Sequence, residues 1–464
     1  LWADRKEQDP TTQWAETIDA EAFARWSVKP SKIFAREGDM AKESFRYLHA
    51  GEFHLERPLQ DLIDLPDHLR ATWCEAPWKA AELVFDTALL EQVDFLLLTG
   101  DLLHPAHVGP AGIAFLLEQL DRLAEAKIPI YWATGSNDHS DHWPEAIPLP
   151  DHVTRFSSDR SEVVLFKRTG HPLASLIGRS SDGRQTLRGG DFDLEPGATF
   201  SIAVGHGEVE LESLQQARIS HWAMGGQHQS QRWSDASLIA HQCGSPQGRS
   251  FDEPGSHGCY LHEVDSHGKL QSQFVELDTV RYQQTKLTID ELSAIQDLRP
   301  EIARRMQRMI ADHAGKTLLV RWEIELDATH LDWTTGNGMD ELLQWLRAEF
   351  GHGRHPAWTV DIHWIPPHSL PAKWSQEDTI LGDFLRVAEA HRKDNLKQLR
   401  WSATIDSETP ASALWKEWLS DERSTDRTEA LGHAQWIGCE LLRGQSVDLL
   451  AGLRKLGLGN NKTL

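Results

Sequence analysis

Three short apolar runs, separated by two segments of helical period, constrain this chain more than anything else in it. Residues 45–50 (FRYLHA) read as a buried strand, residues 93–100 (VDFLLLTG) as a second that ends in glycine, and residues 128–135 (IPIYWATG) as a third. Between them, residues 77–92 and 109–127 carry apolar side chains at helical spacing. Strand, helix, strand, helix, strand is the pattern of a parallel sheet with crossover helices. Beyond residue 160 strands predominate: 161–170, 172–178, 199–206 and 237–245, a hairpin within 258–278 turning at Ser266–Gly268, and 281–289.

The fold class expected is therefore α/β with mixed sheets, in a first domain spanning 44–285. Residues 1–43 are polar and lack a sustained period, which reads as an extension. A helix at 290–313, the strand KTLLVRWEIELD, the helix MDELLQWLRAEF and the strand AWTVDIHWI form a small α/β cap, 286–370. Residues 371–464 read as a helical C-terminal region whose short amphipathic helices carry Trp and Leu. With 40% hydrophobic and 25% charged residues, wholesale disorder is excluded. The formal net charge of −23 argues against a positive coat, though not against a local basic groove. No apolar run approaches the roughly 20 residues that span a bilayer. The opening LWADRKEQDPTTQWAE lacks the basic and apolar regions of a secretory signal. The four cysteines lie far apart with no C-x-x-C pair, so a cytoplasmic protein without disulfides or a thiolate zinc site is expected. The 24 histidines raise the question of metal.

In open α/β sheets, ligands bind beyond the carboxyl ends of the strands. Five such ends carry metal-ligating groups: Glu52-Phe53-His54, Gly100-Asp101-Leu102-Leu103-His104, Gly135-Ser136-Asn137-Asp138-His139, His206, and Gln227-His228. Carboxylates and imidazoles suit divalent manganese, iron or zinc, and a shared carboxylate can bridge two ions. One loop histidine means little. Five strand ends at one sheet edge make a metal centre the preferred reading.

On these residues the chain resembles the calcineurin-like metallophosphoesterases, and among them the SbcD-type nuclease subunit of double-strand-break repair. YLHAGEFHLERPL stands where that family has a strand and D-x-H-L, VDFLLLTGDLL where it has its strand and G-D-L, and IPIYWATGSND where it has G-N-H-D. VGHG and MGGQHQS stand for its lone histidine and its G-H-x-H, and CGSPQGRSFDEPGSHGCYLHEVD is similar to its closing segment. The resemblance is good over about residues 45–285, looser over the cap and only one of character in the tail. It implies a mixed-sheet metallophosphoesterase sandwich, a metal-dependent phosphodiesterase acting on DNA ends, and Mn²⁺ or another divalent ion.

The departures bear on the site. Glu52 stands where the family has Asp. Aligned without a gap, the family's Asn ligand becomes Ser136, its catalytic His becomes Asn137, and the first His of G-H-x-H becomes Gly226. One ion then keeps Glu52, His54, bridging Asp101 and His228, while the other keeps Asp101 and His206, so one tight site is expected rather than two. A gapped alignment makes Asn137 the ligand and His139 the catalytic acid or base; the ungapped one is preferred because the following DHWP keeps its offset. His104 and His139 are candidates to replace the missing proton donor.

Two basic clusters could face DNA: Lys167, Arg168, Arg179, Arg184 and Arg188, and Arg299, Arg304, Arg305 and Arg308. The resemblance further implies a homodimer and an SbcC-like SMC-family ATPase partner, with Trp415, Trp418, Leu449, Leu450 and Leu453 as a candidate docking surface. The alternatives are a catalytically impaired scaffold for that ATPase and a phosphoesterase for small phosphoesters.

Overall fold

The structure is a computed structural model that describes residues 43–61, 66–183, 186–192, 195, 198, 200–235, 238–289, 298–326, 338–365, 372–393 and a few positions between 434 and 442. All belong to one compact unit, Glu43–Leu464. The expected extension, Arg184 and the candidate docking residues of the tail lie outside the described residues.

The three apolar runs form the centre of a six-stranded sheet. β1 (Phe45–Ala50), β2 (Phe95–Leu98), β3 (Ile130–Trp132) and β4 (Val153–Arg155) run parallel. The hairpin β13 (Gly258–Val264) and β14 (Leu270–Glu276) adds antiparallel to β1. A second six-stranded sheet has the order β11 (Gln231–Ser234), β12 (Ile239–Gln242), β10 (His221–Gly225), β8 (Phe200–His206), β6 (His171–Gly178), β5 (Glu162–Arg168). β7 (Thr186–Leu187) and β9 (Glu208–Val209) pair separately. The α/β expectation holds.

Strand alternation sorts each sheet's two faces. From the first sheet, Leu48, Leu96, Leu98 and Trp132 face α1 (Asp67–Leu90) and α2 (Pro105–Glu125), meeting Val84, Phe85, Leu116 and Leu120. Their neighbours Tyr47, Phe95, Leu97 and Tyr131 face the second sheet and meet Phe166, Leu176, Ile202 and Val204. Tyr47 stacks on Phe95 at 4.9 Å between ring centroids. α3 (Leu211–Gln216) covers the far face of the second sheet through Leu214, near Trp222. The result is helix, sheet, sheet, helix, with each large buried apolar side chain contributing roughly 1.5–3 kcal/mol. α1 begins ten residues earlier than its apolar period suggests and carries Pro77 inside it; its polar opening turns left no hydrophobic stripe to read.

The cap is a parallel sheet of β15 (Val280–Ile289), β16 (Thr317–Leu326) and β17 (Ala357–Ile365), crossed by α4 (Leu298–Asp312) and α5 (Gly338–Phe350). β15 runs through the expected boundary at residue 285 and pairs along its whole length with β16. Two short helices follow, α6 (Ala372–Gln376) and α7 (Ile380–Lys393).

A buried polar knot joins the cap to the sandwich. The Arg281 guanidinium donates to Asp278 at 2.7 Å and to Glu276 at 2.7 Å, and Lys316 Nζ reaches Asp278 at 3.0 Å. The Tyr282 hydroxyl contacts the carbonyls of Gln60 and Arg249 at 2.8 Å. Asp278 is 2% exposed, so removing its main partner strands a buried charge. Arg281→Ala is expected to lower unfolding stability by about 3–5 kcal/mol, measured by urea denaturation; a loss under about 1 kcal/mol would show that the knot does not hold the junction.

Candidate metal centre

The site is built from backbone that side chains normally avoid. Glu52, His54 and Asp101 have φ of 57°, 41° and 50°, the left-handed region, which costs about 1–3 kcal/mol per residue. The loops after β1 and β2 hold this conformation by bonding to each other: Glu52 N to Gly100 O at 2.9 Å, His54 N to Asp101 O at 3.0 Å, and Leu55 N to Leu102 O at 3.1 Å. Beneath them the buried Arg249 guanidinium donates to the carbonyls of Phe53 and His54. Gly135 has no room for a side chain, since a Cβ would sit 2.2 Å from Asp101 Oδ1.

Asp138 ties these loops to the one after β3. Its carboxylate accepts from the amides of Asp101 (3.1 Å), Leu102 (3.0 Å) and Gly135 (2.6 Å). Burial and the neighbouring Asp101 charge push its pKa up to about 6.

Glu52, His54 and His228 bring one ligand atom each within 4.8 Å of one another. His54 Nε2 lies 3.2 Å from His228 Nε2, 3.4 Å from Glu52 Oε2 and 3.9 Å from Asp101 Oδ2. His206 joins from β8, with Nε2 3.7 Å from the same Asp101 oxygen and Nδ1 3.3 Å from Glu52 Oε1. Glu52 Oε1 also accepts from the Gly226 amide at 2.6 Å. Asp101 is thus the shared edge of two donor groups, one with three further side chains and one with His206.

Three supporting contacts went unnoticed in the sequence. Glu253 Oε1 lies 2.5 Å from His228 Nδ1, Glu56 Oε1 lies 3.4 Å from His54 Nδ1, and the Thr99 carbonyl lies 2.9 Å from His206 Nδ1. A partner on the far ring nitrogen fixes the tautomer and turns the other nitrogen toward an ion. Glu253 lies in the closing segment, and Glu56 two residues past His54; only their contacts distinguish them from ordinary loop acids.

The remaining candidates divide. The Asn137 amide group reaches the cluster, with Nδ2 2.9 Å from Asp101 Oδ2 and 3.4 Å from His54 Nδ1. Its oxygen and nitrogen exchange by a half-turn of the side chain. Ser136 Oγ stands further off, 3.5 Å from Asp101 Oδ2. His139 turns to its own loop, where Nδ1 accepts from the Asp141 amide at 3.3 Å. His104 stacks on His107 at 3.9 Å, and its backbone amide donates to Glu56 Oε2 at 2.9 Å. Gly226 has φ of 101° and its Cβ would meet Gly207 at 2.7 Å, so the position excludes a histidine side chain. The basic clusters are largely engaged by acids: Arg168 by Asp94 and Glu43, Arg179 by Asp182 and Asp191, Arg188 by Glu210, and Arg304 and Arg305 by Glu301.

The donor set fits a divalent cation. Nitrogen and carboxylate donors bonded at about 2.0–2.2 Å sit roughly 3–3.6 Å from one another, close to the spacings in the Glu52, His54 and His228 group. Without a cation, protons take its place. Burial opposes a charged His206, but the Glu52 and Asp101 carboxylates overcome it and raise the imidazole to about 10. Burial likewise opposes ionised Glu52, yet His206 and His54 hold it down to about 2. His54 is raised against burial by hydrogen bonds to Glu52 and Glu56.

Residues 45–257 match the family model of the calcineurin-like phosphoesterases. The chain is 25% identical over 333 residues to the uncharacterized metallophosphoesterase YhaO of Bacillus subtilis (strain 168), covering 68% of this chain and 80% of that protein. The family match falls within the two-sheet domain and takes in the candidate ligands from Glu52 to His228. Among solved structures, a dimetal phosphatase from Danio rerio is 9% identical with a TM-score of 0.30, covering 47% of this chain and 92% of that one. A Vps29 double mutant from Entamoeba histolytica is 13% identical with a TM-score of 0.22, covering 50% of this chain and 99% of that one.

Because a cation beside Asp101 must displace the proton held on its ligand His54 and disfavours the one held on neighbouring His206, its affinity is expected to rise with pH. Between about pH 6 and 8 the apparent dissociation constant for Mn²⁺ should fall about tenfold or more per unit, with proton release seen calorimetrically in buffers of different ionisation enthalpy. A flat profile would mean that neither imidazole gives up a proton when the ion binds. Gly226→His is expected to destabilise the fold without adding bound metal, measured by denaturation and metal analysis; a gain of metal would show that the loop can relax.

Proposed function

We propose that this chain is a metal-dependent phosphodiesterase of the SbcD type, acting on DNA ends with Mn²⁺ in one tight site. The observation that carries the phosphoesterase reading is the convergence of Glu52, His54 and His228 beside Asp101 at the carboxyl edge of the sheets. Those four residues would hold the ion, which supplies Lewis acidity toward a phosphate oxygen and lowers the pKa of water. Asp138 and the Gly135 turn keep Asp101 in place. The Asn137 amide, braced on Asp101, can donate to a phosphate oxygen. Protonating the leaving oxygen falls to an imidazole, for which His104 in Asp101's own loop and His139 in the loop after β3 are the candidates. The cap, joined through Arg281 and Tyr282, favours a large substrate, and an SbcC-like ATPase and a second copy of the chain are the partners proposed with it. Among the described residues no helix is long and apolar enough to cross a membrane.

A second reading, hydrolysis of small phosphoesters, is favoured by the arginines that acids already engage. Linear duplex DNA and bis-p-nitrophenyl phosphate, each tested with Mn²⁺ and with and without a coiled-coil ATPase, separate the two. The expected outcome is shortening of linear duplex from its ends and a loss of at least about 100-fold in Asp101→Ala, an effect of the size seen when charge-stabilising groups are removed. Cleavage of the small ester alone would move the assignment to the second reading. Metal binding without cleavage of either would leave the scaffold alternative.

A further inference from the structure

A second histidine cluster lies inside the sandwich, away from the strand-end loops. His221 on β10, His241 on β12 and His262 on β13 are each at most 1% exposed, and they come from both sheets. Their ring centroids are 4.6–5.1 Å apart, and one nitrogen from each falls within 4.8 Å of the others. His221 Nε2 faces His241 Nδ1 at 2.9 Å, and His262 Nε2 has no hydrogen-bond partner although it is fully buried. An imidazole nitrogen left without a partner in a protein interior is destabilising.

Two of the three far nitrogens are already braced, while His241 Nε2 is buried without a partner. His221 Nδ1 lies 2.7 Å from the Tyr47 hydroxyl, and His262 Nδ1 lies 2.8 Å from Ser272 Oγ. This is the outer-shell arrangement that turns the other ring nitrogen toward an ion. We propose that His221, His241 and His262 form a second, structural metal site that binds a zinc-class ion and clamps the two sheets together.

The chemistry separates this site from the first. Here the donors are three imidazoles and no carboxylate, a set that suits zinc or copper rather than manganese or magnesium. All three are held neutral, the ligating form: burial, reinforced by neighbouring imidazoles, lowers His221 and His262, and burial with Arg232 brings His241 down to about 4. Nitrogens bonded at about 2.0–2.1 Å to a common ion stand roughly 3.3–3.6 Å apart, between the 2.9 Å of the closest pair and the 4.8 Å outer bound. Small ring rotations suffice. An ion replaces one hydrogen bond by two metal bonds and gives His262 Nε2 its partner. Since the cluster is sealed, the ion must enter during folding and resist chelators afterwards.

The test uses the full chain as Asp101→Ala, which disables the first centre, prepared with excess Zn²⁺ and dialysed against EDTA. About one equivalent of zinc is expected to remain by elemental analysis, and to be lost when His262→Gln or His241→Gln is added. If those variants do not fold, X-ray absorption on the folded Asp101→Ala chain decides, with imidazole scattering at about 2.0 Å expected. Folded Asp101→Ala chain without retained zinc, or with zinc lacking imidazole neighbours, would overturn the proposal.

Discussion

One buried carboxylate organises the site. Asp138 has no exposed surface, and it collects the amides of Asp101, Leu102 and Gly135. The loops after β2 and β3 are thereby locked together. Asp101, at the meeting point, has Oδ1 engaged by the Asn137 amide while Oδ2 faces the histidines. Gathering two carboxylates there has a price, visible in the raised pKa of Asp138. A cation beside Asp101 would relieve the repulsion.

The ligands themselves are strained, and the strain is supported from behind. Three of them sit at positive φ and persist because the loops bond to each other and Arg249 grips their carbonyls. Glu253 and Thr99 aim His228 and His206, and Glu56 approaches His54. Glu52 reaches the centre from a position where the resembled family has Asp, and its extra methylene is used: one oxygen takes the Gly226 amide and the other faces His54. The glycine at 226 is therefore part of how this site is built, since a backbone amide stands where the family presents an imidazole.

Much of the architecture was legible because it is written locally. β1, β2 and β3 are buried runs ended by loop residues, and the Asp265–Gly268 turn marks its hairpin. The boundary expected at residue 285 falls inside β15, because the three residues that separate β14 from β15 show no break in composition. Glu52, His54, Asp101, His206 and His228 could be picked out because strand ends put them at one edge. Glu56 and Glu253 could not, as acids in loops are common and their role rests on what they touch. The cluster of His221, His241 and His262 was illegible for a related reason: it draws one residue from each of three strands and leaves no local motif.

The central claim is that four side chains from separate strand ends hold one divalent ion tightly. Anomalous diffraction at the manganese edge, from crystals of the full chain grown with Mn²⁺, tests it directly. A single strong peak within about 2.0–2.4 Å of Glu52, His54, Asp101 and His228 is the expected result. No peak at that position, or a peak that leaves out Asp101, would contradict it.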